Sequence, residues 1–254
     1  MRITGPDIIG EPADRGECIR VLRRAVDLGV TFIDTANSYG PFVSEEIIAE
    51  ALHPYPAGLV IGTKAGLERP GPHQWKVNGD PAYLRRECEG SLKRLRLERI
   101  DLFQLHRVDP KVPEADQLGA LETLVAEGKV RHVGFSEVGV DVLERARRTL
   151  PVVSVQNKYN LFERTWEPVV DYCQRAGVAF IPWYPLGAGA MAGGALEVVA
   201  ARHGATPMQV AIAWLLARSP MMLPIPGTSK VSHLEENMGA AEITLTAEDL
   251  RQLG

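Results

Sequence analysis

Short apolar runs alternate with longer segments whose apolar positions recur every three or four residues. The short runs cover residues 31–34, 59–63, 100–105, 132–135, 152–156, 178–183 and 222–225. They are nearly continuous in Val, Ile, Leu and Phe, the composition of parallel strands buried on both faces. The segments between them carry helical periodicity. Asp14, with Glu17 three residues on, predicts a capped helix start; Ile19, Leu22, Ala25 and Val26 give that helix an apolar face, and Gly29 is placed to end it. Asp80 and Pro81 predict a second start, with Leu84, Cys88, Ser91, Leu92 and Leu95 along one side. Residues 114–126, 141–148, 164–176, 207–217 and 231–240 continue the series.

Repeated strand-then-helix cycles predict βα units and a parallel sheet. A closed β/α barrel and a doubly wound open sheet share this local pattern, so periodicity alone does not choose between them. The chain shows seven such cycles, and a closed barrel has eight strands. The deficit lies at the N-terminus, where a first strand would precede Met1. No linker, low-complexity segment or charge run divides the 254 residues, so residues 1–254 read as one domain.

Charge narrows the function classes. The formal net charge of −4 argues against a nucleic-acid partner, which would call for a basic surface. No apolar stretch approaches the roughly 18 to 20 residues that cross a bilayer, and residues 1–6 offer no signal-peptide core. No membrane partner and a cytoplasmic location are therefore expected. Cys18, Cys88 and Cys173 are far apart and form no CxxC pair, which excludes a disulfide scaffold and a cysteine-rich metal site. No metal is expected.

Candidate chemistry sits where polar residues end the apolar runs. Asp34 closes the first run and Tyr39 follows five residues later; Lys64 and His106 close the next two. Taken singly, each has an ordinary explanation: a capped loop, a packed ring, a solvated strand end, a structural histidine. In a β/α barrel all four converge on one mouth. A phenol is a poor acid at neutral pH; a nearby ammonium favours phenolate and should lower the Tyr39 pKa; a carboxylate keeps that ammonium charged. Such a device protonates an alkoxide as it forms, with the hydride coming from a cofactor.

The string Phe32-Ile33-Asp34-Thr35-Ala36-Asn37-Ser38-Tyr39-Gly40, with Lys64 and His106, resembles the catalytic tetrad of the aldo-keto reductase family. The resemblance runs from Asp14 to the last helix. It implies a (β/α)8 TIM barrel that binds NADPH/NADP+ without a Rossmann domain and reduces an aldehyde or ketone, a small-molecule carbonyl substrate. It implies Tyr39 as general acid/base, Lys64 and Asp34 as the groups that tune it, and His106 as the group that orients the carbonyl. Ser136, Gln156 and Asn157 would hold the nicotinamide carboxamide. Trp183 would stack on the ring, although ordinary core packing explains that tryptophan equally well. Tyr184, Pro185, Leu186 and Gly187 lead into a loop expected over the pyrophosphate.

The segment 224–230 precedes a predicted helix. Its Gly, Thr and Ser would offer free N–H groups and hydroxyls to a phosphate, and Lys230 adds a cation. By resemblance, Gly227, Thr228, Ser229, Lys230 and His233 surround a 2′-phosphate, which favours NADPH over NADH, and Glu236 and Asn237 lie near the adenine. Gly187, Gly189 and Ala192 fit a loose G-x-G-x-x-A pattern, but a true fingerprint lies in a first βα turn.

Two departures from the family pattern stand out. Glu137 occupies the place where the family commonly has Asn, and a carboxylate cannot donate to a carboxamide oxygen. Met1 falls just after the family's first barrel strand. Two other functions fit parts of the sequence. One is an NADP(H)-binding regulatory subunit resembling potassium-channel β-subunits. The other is a cofactor-free barrel with Lys64 as Schiff-base nucleophile, which leaves residues 227–237 without a role. Residues 68–79 with Trp75, and Tyr55 and Phe42, are expected as variable loop positions at the mouth. A monomer is compatible with the sequence.

Overall fold

The computed structural model describes residues 1–187 and 194–254. Gly189 and Ala192 of the loose glycine pattern lie outside the described residues. The chain forms two compact units, Met1–Val153 with Gly227–Val231, and Ser154–Pro226 with Ser232–Gly254.

The first unit is a parallel sheet with its helices. Strands β1 (Phe32–Asp34), β2 (Val60–Ala65), β5 (Ile100–Leu105) and β6 (Val130–Ser136) lie side by side in that order, all parallel. Helix α1 (Arg15–Asp27) starts as the sequence predicts, with the Asp14 side chain accepting from the Glu17 amide. Only half of the capping box forms, because the Glu17 carboxylate turns to Arg20 and to the amide of Val231. Gly29, at φ 87°, lets the Val30 amide reach back to the Ala25 carbonyl and closes the helix. Helix α3 (Pro81–Leu95) is capped by Asp80, and buries Leu84, Cys88, Ser91 and Leu95. Helices α4 (Glu114–Ala126) and α5 (Val140–Ala146) follow β5 and β6.

Two elements of this unit depart from expectation. Helix α2 (Val43–Leu52) had no amphipathic stripe to announce it, because eight of its ten residues are buried, Ser44 and Glu45 among them. Its Ile47, Ile48 and Leu52 pack with Cys18, Leu22, Ile61 and Leu95 in the core. Residues 68–79, expected as a loop, fold largely into an antiparallel hairpin of β3 (Leu67–Gly71) and β4 (Gln74–Val77). Arg69 explains the hairpin: it is buried, pairs with Asp7 at 2.7 Å, donates to the Gln74 carbonyl, and lies 4.2 Å from the centre of the Trp75 ring. Trp75 therefore anchors the hairpin.

In the second unit β7 (Val152–Gln156), which begins two residues before the unit does, pairs in parallel with β8 (Ala179–Phe180). The expected strand at 222–225 contributes a single bridge, Met222 to Phe180, with amide bonds from Phe180 to Met221 and from Leu223 to Phe180. Helices α6 (Glu167–Ala176), α7 (Ala195–His203), α8 (Pro207–Arg218), α9 (Val231–Gly239) and α10 (Ala247–Leu253) complete the chain. Thr206 caps α8 and Thr246 caps α10, each through a full capping box. No helix among the described residues is long and apolar enough to cross a membrane.

Candidate active site

Strand order brings the polar strand ends of the first unit together. Asp34 is in register with Gly62, and Lys64 with Gln104, so β1, β2 and β5 present Asp34, Lys64 and Gln104 to one another. Residues two apart on a strand share a face, which puts His106 beyond Gln104 on the same side. Lys64 is fully buried; its Nζ donates to Asp34 Oδ2 at 2.7 Å and to the Thr35 carbonyl at 2.6 Å. Gln104 Nε2 donates to the other Asp34 oxygen at 3.1 Å. Sequence reasoning passed over Gln104. Its signal was available: a polar residue two positions before His106 in an otherwise apolar run.

Tyr39 is brought to the same place by a tight turn. Its amide bonds to the Ala36 carbonyl, and its own carbonyl receives the Ser44 amide. Gly40 follows at φ 108°, where a Cβ would come within 2.4 Å of Val43 Cβ, so only glycine fits. The Tyr39 ring centre lies 5.1 Å from Lys64 Nζ and 5.9 Å from the His106 ring, which meets it edge-on.

Electrostatics follow from burial. Burial raises the Tyr39 hydroxyl above its ordinary value and outweighs the opposing pull of Lys64 and Arg107. This corrects the expectation of a lowered phenol: the ammonium acts as expected, but desolvation of the phenolate is the larger effect. Burial also works against the Lys64 charge, yet Asp34 and then Tyr39 hold its pKa above the usual lysine value. His106 is pushed well below its ordinary value by burial, and further by the charges of Lys64 and Arg107, so it is neutral at pH 7.

Ser136 ends β6 and is buried. Its Oγ accepts from Arg107 Nη1 at 2.9 Å, which leaves its own proton to donate. Glu137 adopts φ 58°, the left-handed region that Asn enters more readily than Glu. At residues 227–231, Thr228 Oγ1 accepts from the Lys230 amide at 3.1 Å, and the Val231 amide meets Glu17 Oε1 at 3.2 Å. A carboxylate thus already sits at the first amide of α9. The Lys230 ammonium is exposed and makes no ion pair among the described residues.

In the second unit Gln156 and Asn157 are buried at the end of β7. The Trp183 amide bonds to the Asn157 carbonyl at 3.1 Å, and the Trp183 and Tyr184 ring centres lie 6.2 Å apart. Asn160 holds the Tyr184 carbonyl at 3.1 Å, and Pro185 and Leu186 turn the chain so that the Gly187 amide meets the same carbonyl at 3.2 Å. On α9, His233, Glu236 and Asn237 share a face by their spacing. One Glu236 oxygen is already engaged by Thr206 Oγ1 at 2.7 Å, where α8 begins.

Residues 1–254 match the model of the Aldo/keto reductase family. An uncharacterised oxidoreductase of Schizosaccharomyces pombe is 52% identical over 255 residues, which cover 100% of this chain and 83% of that protein. Pyridoxine 4-dehydrogenase of Escherichia coli is 42% identical over 260 residues, covering 100% and 91%. Among solved structures, a thermostable aldo-keto reductase in complex with the inhibitor epalrestat matches with a TM-score of 0.87 at 31% identity, covering 100% of this chain and 92% of that one. An aldo-keto reductase from Klebsiella pneumoniae in complex with NADPH matches with a TM-score of 0.85 at 28% identity, covering 100% and 88%. The fold class is the α/β barrel of these enzymes. The chain belongs to the aldo/keto reductase family of oxidoreductases.

Proposed function

We propose that this enzyme reduces an aldehyde or ketone to the alcohol with NADPH, Tyr39 handing the proton to the carbonyl oxygen. The observation that carries the reading is the buried Lys64 ammonium, fixed by Asp34 and the Thr35 carbonyl beside the Tyr39 ring. An ammonium has three protons. Two are spent on those acceptors, and the third is left for the Tyr39 hydroxyl, which Lys64 also influences as a nearby charge.

The donor set suits NADP(H), the cofactor in the Klebsiella pneumoniae structures. Thr228, Ser229 and Lys230 suit a phosphate, while the Val231 amide is taken by Glu17; Gly227 precedes them, and His233, Glu236 and Asn237 continue onto α9. Ser136 has a hydroxyl proton to give a carboxamide oxygen, which answers the lost donor at Glu137. Gln156, Asn157, Trp183, Tyr184, Pro185, Leu186 and Gly187 remain the nicotinamide and pyrophosphate residues that the family resemblance implies. NADPH, when bound, supplies hydride.

Each tetrad residue then has one task. Neutral His106 directs a hydrogen bond at the carbonyl oxygen and holds it toward Tyr39. Tyr39 keeps its proton through neutral pH because burial disfavours the phenolate, and it gives that proton up only as the far more basic alkoxide forms. Lys64 stabilises the phenolate so produced, and Asp34 keeps Lys64 charged. Oxidation of an alcohol, the activity in the Escherichia coli relative's name, runs the same transfers backward.

The test is NADPH consumption with 4-nitrobenzaldehyde, read together with NADPH fluorescence titration. Tyr39→Phe should lose about 10²- to 10⁴-fold in kcat, the usual worth of a general acid, and should still bind NADPH. Full turnover by Tyr39→Phe overturns the assignment. Tight NADPH binding without turnover by the wild type would favour a regulatory subunit instead.

A further inference from the structure

The exit of β5 carries a cation that the reaction above leaves without a task. Arg107 follows His106 directly. Its Nη1 donates to the His106 carbonyl at 2.6 Å and to Ser136 Oγ at 2.9 Å. Both acceptors are neutral. No carboxylate lies within ion-pair distance of this guanidinium among the described residues. Glu137 acts on it only as a charge beyond bonding distance. Three other arginines withdrawn from water are provided for: Arg69 faces Asp7, Arg94 faces Glu45, and Arg218 faces Glu167 and Asp171. A partly buried guanidinium without a counter-ion is costly, and burial accordingly pulls Arg107 below the usual arginine value.

The geometry shows what is left over. A guanidinium carries five N–H donors. The two on Nη1 match its two acceptors, while Nε and Nη2 have no protein partner among the described residues. Those two nitrogens form the side-on edge that receives a carboxylate or phosphate through paired hydrogen bonds. The Nη1 contacts tie the guanidinium to the backbone of β5 and to the end of β6, so the free edge is held rather than swinging in solvent. His106, its chain neighbour, meets the Tyr39 ring edge-on.

We propose that Arg107 selects the substrate by receiving an anionic group, a carboxylate or phosphate, carried by the aldehyde or ketone a few bonds from its carbonyl. The inference rests on the carbonyl-reductase reading and deepens it. The anion supplies the missing counter-charge, and it orients the carbonyl toward Tyr39 and His106.

The test compares matched substrates: 4-carboxybenzaldehyde with its neutral methyl ester, and glyceraldehyde 3-phosphate with glyceraldehyde. The wild type should favour the anionic member in kcat/KM, and the pair with the larger ratio identifies the anion. Arg107→Gln should reduce that ratio about 10- to 100-fold, the worth of a hydrogen bond to a charged group. Arg107→Lys should restore part of it, since charge remains but the fork is lost. Calorimetric titration of benzoate into the NADP+-loaded protein gives a readout without turnover, and Arg107→Gln should weaken it similarly. A wild-type ratio near one, or a ratio unchanged in Arg107→Gln, overturns the proposal while the carbonyl-reductase reading stands. Absence of turnover with any of the four substrates would instead bring down that underlying reading.

Discussion

Asp34 offers two oxygens, and the fold gives each a donor: Lys64 on Oδ2 and Gln104 on Oδ1. The carboxylate cannot rotate away from the ammonium without losing both. This has a consequence for pH. Because Asp34 holds Lys64 above its ordinary pKa and burial holds Tyr39 above its own, the pair stays fully protonated through neutrality. The reduction rate should be flat there and fall only at alkaline pH, as the coupled pair loses its proton. His106 is already neutral and adds no limb near pH 6 to 7. Asp34→Asn removes the charge that raises Lys64, so the alkaline limb should move to lower pH, as steady-state rates across a pH series will record. The cluster was legible because Asp34, Lys64 and His106 each close an apolar run, and Tyr39 follows Asp34 in the turn that begins there. Arg107 was not, since it lies two residues past the strand, where a charged residue is ordinary. The direction of the Tyr39 shift was misread because a sequence shows the ammonium and hides the desolvation.

Helix α2 illustrates why some elements escaped notice. A helix buried nearly all round has no polar face for a periodicity argument to find, and here the inward residues include an acid. Glu45 is fully buried, accepting from Thr63 Oγ1 at 2.6 Å and pairing with Arg94 at 2.6 Å. Thr63 precedes Lys64, so this pair fixes β2 from its outer face while Asp34 fixes it from within. Removing one partner of a buried pair strands the other's charge, at about 3 to 5 kcal/mol. Glu45→Ala should lose stability on that scale in urea unfolding, and Glu45→Leu with Arg94→Leu should lose much less. Equal losses would show that Arg94 is solvated without Glu45. The β3–β4 hairpin was hidden for another reason: its organising residue, Arg69, works through Asp7, more than sixty residues away in sequence. The parallel strands, by contrast, were readable from local composition alone, except at 222–225, where the apolar run yields one bridge.

The whole molecule is anionic, at −4, and the proposed cofactor is a polyanion, so binding must rely on local cations and amides against an unfavourable net field. Lys230, exposed and without an ion-pair partner among the described residues, is the cation we propose to tell a 2′-phosphate from a 2′-hydroxyl, and on that reading cofactor preference should be visible in stability. A ligand that binds only the folded state stabilises it by RT ln(1 + [L]/Kd), about 2.7 kcal/mol at a hundredfold excess over Kd. For a chain of this size that corresponds to a rise in Tm of roughly 5 to 10 °C. If the phosphate contacts are worth a tenfold difference in Kd, NADH at the same concentration contributes only about 1.4 kcal/mol. NADPH should therefore raise the melting temperature clearly more than NADH, and added salt should narrow the gap. Lys230→Ala should bring the NADPH curve down toward the NADH curve and leave the NADH curve in place. If both nicotinamides protect the wild type equally, Lys230 does not read the phosphate, and discrimination between the two cofactors must come from elsewhere in the chain.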